Sequence, residues 1–515
     1  MNTRTTTSPV SQDTSRLAAL ATGTGPELEV TRPADGQPYA VVRQTAAGEV
    51  AAAVRRGRSA QKHWATTPPK ERAVVARRFA ELVLDRRNEI LDVIQAETGK
   101  SRLAAFEEVV DASMMASYYA HTAARLLKPR RHVGAFPVLT QTTELRHPKG
   151  VVGVITPWNY PFTLVASDSV PALLAGNAVV VKPDHQTPFS ALLVLDLLLA
   201  SGLPEGLMQV VVGPGPVVGS ELVGAVDFMM FTGSTETGRL LAQQCGARLI
   251  GFSAELGGKN PLIVMDDADL PAAAAGAARA CFANAGQLCV GPERIYVHER
   301  VREPFTQSFL DAVARLRVGA GTAWEADMGS IISPTQLDRV RAHLDDAVAK
   351  GARVLAGGTP RPDLGPSFFE PTVLTDVPED ATLFREETFG PLVAIYPIAS
   401  ADEAIARAND SALGLSASVW TSPSRGRTLA AQIEAGMVNV NEGYSAAWAS
   451  HGSPMGGWKE SGLGRRHGAE GLLKYTEAQT VAVQRGVPIA PFAGMSNETF
   501  ANLFTRAARI LNHFR

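Results

Sequence analysis

The chain has 515 residues, 45% of them hydrophobic and 19% charged, with a formal net charge of −2. This composition is typical of a globular protein of two or three domains, and the scattered basic residues give no reason to expect nucleic acid as a partner. Three cysteines without a Cys-x-x-Cys pair exclude a disulfide framework and give no reason to expect a metal, which indicates a reducing, cytoplasmic setting.

The first third of the chain predicts a tail, short strands and a series of packing helices. Residues 1–20 begin with a Ser/Thr-rich segment that has no apolar core, so we expect a disordered tail and no signal or membrane anchor. Prolines and glycines break Glu27–Gln44 into short strands, and Arg130–Arg146 alternates polar and apolar residues as an extended arm or hairpin does. Apolar residues at helical spacing predict helices at Val50–Trp64, Lys70–Val83, Arg86–Thr98 and Leu103–Leu126.

From Val151 to Cys245 the pattern changes to short apolar strands that alternate with helices. This alternation predicts an α/β fold with a parallel sheet covered on both faces, in which ligands bind at the carboxyl ends of the strands. The turn Phe231–Gly238 places Gly233 and Ser234 at a helix start, where backbone N–H groups favour a phosphate. On its own this glycine spacing is a weak signal.

The segment Phe252–Cys289 contains a candidate base and a candidate nucleophile. A thiol attacks as its thiolate, and the intermediate it forms needs an activated water to release it, so Cys289 and Glu255 form a minimal set. Gly257 and Gly258, beside the carboxylate, indicate a place where backbone or ligand must approach closely. A random Cys and Glu would more often be a buried small hydrophobe and a solvated charge.

The motifs at both ends of this segment resemble those of the aldehyde dehydrogenases. Glu255–Lys259 is similar to the family's Glu-Leu-Gly-Gly-Lys and Gly286–Cys289 to its Gly-Gln-x-Cys, and the likeness runs from about Glu27 to Thr480. It is greatest to bacterial succinate-semialdehyde dehydrogenases. The resemblance implies a Rossmann-type cofactor domain (21–128 and 150–257), an α/β catalytic domain (258–474) and a β oligomerisation arm (129–149 and 475–486) of a homodimer or homotetramer.

The resemblance also implies catalytic roles and a set of cofactor contacts. Cys289 would add to the aldehyde, the Asn159 amide of Pro157–Pro161 would hold the oxyanion, and Glu255 would activate water. Alone, an Asn between prolines is more often only a turn former. The cofactor contacts implied are Ile155, Thr156, Pro157, Trp158, Lys182, Asp184, His185, Gly215, Phe231, Gly233, Ser234, Gly238, Leu256, Glu387 and Phe389.

The turn Lys182–His185 bears on the choice between NADP and NAD. The family usually has Glu where His185 stands, and that Glu holds the 2′-hydroxyl of NAD and repels a 2′-phosphate. Its absence predicts that NADP is accepted or preferred, with NAD still possible.

The substrate remains open between two classes of aldehyde. Family members acting on succinate semialdehyde carry two Arg that clamp the distal carboxylate, at positions that are Ser167 and Ala283 here. Either another cation binds that carboxylate, or the substrate is a less charged aliphatic or aromatic aldehyde. Tyr160, Tyr444 and Trp448 are candidates for lining the substrate channel, although such aromatics are as often ordinary core.

Two further functions and the C-terminal segment complete the sequence-based expectations. An acylating enzyme using coenzyme A would not need Glu255, and a non-catalytic scaffold would be expected to lose Cys289, Asn159 or Glu255. Residues 487–515 are a helical tail, since apolar residues recur at helical spacing in Ser496–Arg515. Docking of this helix on its own protein is the simplest expectation, and a membrane surface is the alternative.

Overall fold

The computed structural model describes residues 9–136 and 139–513, with side chains described from residue 14 onward. The sequence predicts a disordered tail over residues 1–20, but Pro9–Ala18 form a helix that is followed by a turn. Leu17 is buried on this helix, and Arg16 forms ion pairs with Glu89 and Asp196. These contacts give the helix partners that its own sequence does not reveal, and residues 1–8 lie outside the described part of the chain.

From Glu27 to Cys245 the helices and strands follow one another in the order that the sequence predicts. The helices are α1 (Pro9–Ala18), α2 (Glu49–Thr66), α3 (Pro69–Asp85), α4 (Arg87–Thr98), α5 (Arg102–Leu126), α6 (Pro161–Leu174), α7 (Pro188–Ala200), α8 (Ser220–Ala225), α9 (Thr235–Ala247), α10 (Leu270–Phe282), α11 (Arg302–Ala314), α12 (Pro334–Ala349), α13 (Thr382–Arg385), α14 (Ala401–Asn409), α15 (Pro423–Ala430), α16 (Ser445–Trp448), α17 (Gly468–Leu473) and α18 (Asn497–Leu511). The strands are β1 (Glu27–Thr31), β2 (Pro38–Arg43), β3 (Arg130–Val133), β4 (Thr140–Pro148), β5 (Val151–Ile155), β6 (Ala178–Lys182), β7 (Met208–Val210), β8 (Phe228–Thr232), β9 (Gly251–Glu255), β10 (Asn260–Val264), β11 (Pro292–His298), β12 (Arg353–Ala356), β13 (Thr372–Thr375), β14 (Leu392–Ile398), β15 (Leu413–Gly414), β16 (Ser416–Trp420), β17 (Met437–Val440), β18 (Trp458–Lys459), β19 (Gly462–Leu463) and β20 (Thr476–Gln484).

A six-stranded sheet has the order β19-β9-β8-β5-β6-β7, parallel except for β19. Its central strands β5, β6 and β8 are almost wholly buried, as expected for a parallel sheet with helices on both faces. Ile155 lies opposite both Lys182 and Phe231, and Thr232 lies opposite Glu255. The carboxyl ends of four neighbouring strands therefore meet at one edge, which confirms the predicted α/β architecture.

A seven-stranded sheet has the order β12-β13-β14-β11-β10-β16-β17, with only the β12–β13 pair antiparallel. Its core includes the apolar face of α10 and a stack of Phe282, Phe305 and Phe309. Strand β10 feeds α10, whose first turn is capped by the Asp269 carboxylate accepting from Ala272 N–H. This helix delivers the chain to Cys289.

A separate compact unit is formed by residues 127–147 and 476–515. It contains the three-stranded sheet β20-β4-β3, in which β3 and β4 form the hairpin that the alternation predicts. The helix predicted near the C terminus is α18, capped by Ser496, and its Phe504 ring contacts Phe136 at 5.1 Å, which fits docking on its own chain. No helix among residues 9–136 and 139–513 has the length and apolar character to cross a membrane.

Candidate active site

Cys289 follows an unusual left-handed turn at the end of α10. Asn284, Ala285 and Gly286 have φ of 49°, 55° and 70°, a conformation that side chains other than Gly adopt at a cost. A Cβ on Gly286 would lie 2.0 Å from the Gly390 carbonyl oxygen, so only Gly fits that position. The turn reverses the chain and exposes part of Cys289, whereas Cys245 and Cys281 are buried.

Hydrogen bonds to Gln287 and Asn284 hold this turn in place. Gln287 Oε1 accepts from Ile332 N–H at 2.9 Å, and its Nε2 donates to the Asn284 carbonyl at 3.0 Å. On the far side, Asn260 Nδ2 donates to the Cys289 carbonyl at 2.7 Å. The nucleophile is therefore fixed through its neighbours, which is the preorganisation a catalytic thiol needs.

Glu255 ends β9 in a buried position where neither carboxylate oxygen has a hydrogen-bond partner. A carboxylate left without partners in low dielectric favours its protonated form, and burial raises the pKa of Glu255 to about 7. The charges of Arg466 and Lys474 act in the opposite direction. A pKa near neutrality is that of an effective general base, because the group is ionised in quantity and still binds a proton.

Asn159 lies beside the nucleophile turn, at the start of α6. Its Nδ2 donates to the Gln287 carbonyl at 3.1 Å, and its own carbonyl accepts from Lys100 Nζ at 2.6 Å and from Asn284 Nδ2 at 3.1 Å. An amide nitrogen has two N–H groups, so one bond to Gln287 fixes the orientation and leaves the second donor available. A fixed and buried donor of this kind stabilises an oxyanion.

One cavity of about 210 Å³ joins the predicted catalytic groups. Of the residues predicted for catalysis or the cofactor, those lining it are Pro157, Trp158, Asn159, Gly233, Ser234, Glu255, Leu256, Cys289, Glu387 and Phe389. The lining also includes Thr232 and Gly257, which belong to the turn Phe231–Gly238 and to the Glu255–Lys259 motif. Sequence reasoning missed Gln336 and Arg339, which come from α12, whose ordinary amphipathic pattern carries no sign of a site.

Burial and two carboxylates control the charge of the thiol. They raise the pKa of Cys289 to about 12, with burial the larger cause and Glu387 and Glu255 adding to it. Burial likewise raises the pKa of Glu387 to about 8. Burial and these carboxylates therefore favour the thiol over the thiolate, and nucleophilic attack requires a proton acceptor such as Glu255.

The turn that carries Glu387 is held by a buried ion pair that the motif does not reveal. Glu293 is bound to Lys259 and accepts from the backbone N–H groups of Thr388 and Phe389 at 2.9–3.0 Å. Glu387 in turn accepts from Gly258 N–H at 2.8 Å, and a Cβ on Gly257 would lie 2.4 Å from its Oε2. The close approach predicted for the two glycines is thus the approach of this carboxylate.

Two parts of the site suit two parts of a nicotinamide dinucleotide: a helix N terminus suits a phosphate, and an aromatic wall suits a flat ring. Ser234 caps α9, whose first turn is exposed at the cavity edge, and such a helix N terminus accepts a phosphate. Trp158 and Phe389 meet edge to face at 5.4 Å and form an aromatic wall on which a flat ring can pack. A Cβ on Gly238 would lie 2.7 Å from Leu256, so this Gly permits helix–strand packing and need not touch a ligand.

The remaining predicted cofactor residues lie at the same sheet edge outside this cavity. Lys182 is buried at the end of β6 and donates to the Pro183 carbonyl at 3.0 Å. Ile155 ends β5 and is followed by Thr156, and Phe231 is a buried residue one position before the end of β8. His185 is 56% exposed, with its Nδ1 3.3 Å from the Asp184 carboxylate. Gly215 begins an exposed π-helical turn, Gly215–Gly219.

The three predicted substrate residues belong to one apolar cluster that Cys289 contacts. The Tyr160 and Trp448 rings lie 6.3 Å apart, and the hydroxyls of Tyr160 and Tyr444 donate to Glu107 at 3.2 and 2.6 Å. Sequence analysis missed Glu107, a carboxylate whose pKa is raised by burial. The cluster forms a wall beside the nucleophile, with Ala283 at its edge.

Comparison with known proteins covers almost the whole chain. A family model described as the aldehyde dehydrogenase family matches residues 21–481. A protein of Mycolicibacterium smegmatis, provisionally named an NADP(+) succinate-semialdehyde dehydrogenase, is 52% identical over 506 residues, 97% of this chain and 98% of its own. A 3-sulfolactaldehyde dehydrogenase of Pseudomonas putida is 38% identical over 90% of this chain and 95% of its own. The solved succinate-semialdehyde dehydrogenase of Burkholderia pseudomallei has a TM-score of 0.85 at 36% identity, covering 89% and 95% of the two chains.

Proposed function

Because this chain belongs to the aldehyde dehydrogenase family, we propose that it oxidises succinate semialdehyde to succinate with NADP, through Cys289, Glu255 and Asn159. The observation that supports this assignment is the single cavity into which the partly exposed thiol, the unpartnered carboxylate and the fixed amide all open. These groups supply a nucleophile, a base and an oxyanion donor, the set that oxidation of an aldehyde through a thioester requires.

The chemistry of the chain's own residues follows from their positions. Glu255 accepts the thiol proton, and the sulfur of Cys289 then forms a bond to the aldehyde carbon. The oxygen that becomes negative is held by the free N–H of Asn159 Nδ2 and by the backbone N–H of Cys289. A bound oxidised nicotinamide cofactor supplies the hydride acceptor, beside Glu387 and Phe389. Glu255 next releases the thiol proton to solvent and takes a proton from water, whose oxygen attacks the thioester carbon. The carbon–sulfur bond then breaks, Glu255 returns its proton to the sulfur, and the acid leaves with the thiol regenerated.

Succinate semialdehyde as the substrate draws its support from relatives. The Mycolicibacterium smegmatis protein and the Burkholderia pseudomallei enzyme are both named for it, and the Pseudomonas putida enzyme is named for an aldehyde that carries a sulfo group. The three differ from this chain at about half to two-thirds of the aligned residues, yet all three names specify an aldehyde with a distal anion. Kinetics with succinate semialdehyde and with butanal, which has the same chain length but no carboxylate, test the proposal.

A second candidate substrate class is a less charged aldehyde, favoured by the cluster of Tyr160, Tyr444 and Trp448 beside Cys289. Apolar walls of this kind bind aliphatic or aromatic groups. If kcat/KM for butanal or benzaldehyde exceeds that for succinate semialdehyde, this class is the correct one.

The cofactor, assembly and compartment complete the proposal. NADP is favoured by the name of the Mycolicibacterium smegmatis relative and by a half-exposed imidazole at His185 in place of a repelling carboxylate. The homodimer or homotetramer is favoured by β20, whose residues after Thr476 are all exposed, including Val481 and Val483. The three free cysteines suit a reducing cytoplasm. Sedimentation velocity and parallel NADP and NAD kinetics test these points.

A further inference from the structure

A buried polar cluster adjoins the apolar wall beside Cys289 and takes no part in the steps above. It consists of Asp111, Thr163, Ser167, His451 and His467, and each of these residues is at most 5% exposed. His451 Nε2 lies 2.8 Å from Asp111 Oδ1, Thr163 donates to the other carboxylate oxygen, and Thr163 Oγ1 lies 3.5 Å from Ser167 Oγ.

His467 is the member of the cluster that lacks partners. Both of its ring nitrogens are buried without a hydrogen bond, and its ring lies 4.7 Å from that of His451. A buried polar group without a partner costs about 1–3 kcal/mol, so this imidazole is a place where a ligand would be stabilised. Burial, together with the charges of Arg466 and Lys474, holds the pKa of His467 well below its usual value, so the ring offers one N–H donor at neutral pH.

The elements that carry the cluster also carry the wall around the nucleophile. Thr163 is one turn along the chain from Tyr160, and His451 lies between Trp448 and Met455 in the sequence. The wall residues Tyr160, Trp448 and Met455 pack in the same apolar cluster as Cys289. The backbone keeps His451 and His467 together, because Gly468 N–H donates to the His451 carbonyl at 2.8 Å. The polar cluster and the wall that packs with Cys289 are therefore carried by the same elements.

The surrounding charges distinguish an anion from a cation as the ligand. Atoms of Asp111, His451 and His467 that bind metals lie within 4.8 Å of one another, whereas ligands of a tetrahedral zinc ion are about 3.3 Å apart. A metal ion would also displace the donors already bound to Asp111, and it would lie near the charges of Arg466 and Lys474. Arg466 and Lys474 share one acidic partner, Asp168, so two cations and one carboxylate leave a net positive charge, which favours a carboxylate ligand.

We propose that His451 and His467, with the Ser167 hydroxyl, form the site that binds the distal carboxylate of the aldehyde substrate. His451 donates Nε2–H to Asp111 and presents Nδ1, which is a second donor when the ring is an imidazolium; His467 presents an unpartnered ring nitrogen, and Ser167 presents its hydroxyl. The proposal rests on succinate semialdehyde being the substrate. In it, the two histidines take the place of the two arginines that the family's succinate-semialdehyde dehydrogenases carry at the positions of Ser167 and Ala283.

The test compares kcat/KM for succinate semialdehyde with kcat/KM for butanal in two variants. His451→Gln retains an amide that reaches Asp111 and removes the Nδ1 donor, and His467→Asn tolerates the φ of 62° at that position while its amide is too short to reach the ligand. Each variant is expected to lower kcat/KM for succinate semialdehyde about tenfold through KM, with butanal changed less than about threefold. The matched control is Ser113→Ala, on the same helix as Asp111, which removes a buried hydrogen bond from Ser113 to the Ala80 carbonyl. This variant is expected to leave kcat/KM for both substrates unchanged.

Three results would overturn the proposal. The first is a ratio of kcat/KM for succinate semialdehyde to kcat/KM for butanal that stays within about threefold of the wild-type ratio in both folded variants. The second is one metal ion per chain in the purified wild-type protein, measured by mass spectrometry and lost in His467→Asn. The third, should the variants not fold, is wild-type oxidation of butanal that succinate does not inhibit competitively. A wild-type enzyme that oxidises butanal but not succinate semialdehyde would instead refute the proposed function, and this site assignment with it.

Discussion

The cavity around Cys289 and the turn Lys182–His185 lie at one edge of the same parallel sheet but present opposite environments. In the cavity, Glu255 and Glu387 are buried carboxylates with raised pKa values. In the turn, His185 is 56% exposed and lies beside Asp184. We therefore propose that low dielectric sets the chemistry in the cavity and that direct charge recognition in solvent sets cofactor selectivity at the turn. Changes in the cavity should alter rates, whereas changes in the turn should alter the choice of cofactor.

The largest effect is expected from Cys289→Ala, which removes the group that bonds to the substrate. Turnover should fall by on the order of 10⁴ or more, because the oxyanion donor has no adduct to stabilise. Binding of NADP, followed by quenching of tryptophan fluorescence, should be retained. Cys245→Ala, a buried cysteine on α9, is the control. Residual turnover above about 1% of wild type would mean that another group is the nucleophile.

Glu255→Gln separates the two halves of the proposed reaction. Steady-state turnover should fall about 10²–10³-fold, since water is no longer activated. One equivalent of reduced cofactor should still form before turnover stalls, but more slowly than in wild type, because the Cys289 thiol must lose its proton to solvent. Stopped-flow absorbance at the reduced nicotinamide band measures both phases. The exposed Glu205→Gln is the matched control. Wild-type turnover in the variant, or stimulation of its turnover by added coenzyme A, would contradict the role given to this carboxylate.

His185→Glu tests the other side of the comparison. A carboxylate in the turn should repel a 2′-phosphate and lower the ratio of kcat/KM with NADP to that with NAD about tenfold. The cavity is untouched, so kcat with saturating NAD should stay the same. His121→Glu places the same charge on an exposed part of α5 and controls for net charge. If kcat/KM with NAD already exceeds that with NADP by tenfold in wild type, the NADP preference itself is wrong.

The smallest effect is expected from Lys474→Met, which changes the cavity without touching the substrate. Lys474 lowers the pKa of Glu255, so its removal should raise that pKa above about 7. The base form of Glu255 increases as pH rises through its pKa; the rising limb of the kcat profile should therefore move to higher pH, with about a threefold loss at pH 7. The exposed Lys70→Met should not move it. A profile that shifts to lower pH would contradict the electrostatic assignment.

The sequence allows the reacting groups to be predicted but not the groups that support them. Glu255, Cys289 and Asn159 stand in short motifs, and strand alternation places them at a sheet edge, so they can be predicted. Gln336 comes to the cavity on a helix with an ordinary amphipathic pattern, and it donates to the Thr388 and Phe389 carbonyls. His467 stands out only because its ring is buried without a partner, a property of packing that no residue pattern encodes.

The burial of two of the three cysteines has a practical use for work with the purified enzyme. Cys245 and Cys281 are buried, whereas Cys289 is partly open, so access to the sulfur distinguishes this thiol from the other two. An electrophilic label such as iodoacetamide should therefore modify a single position in the native protein. Counting the label incorporated per chain would give the fraction of competent centres in a preparation, without any engineered handle.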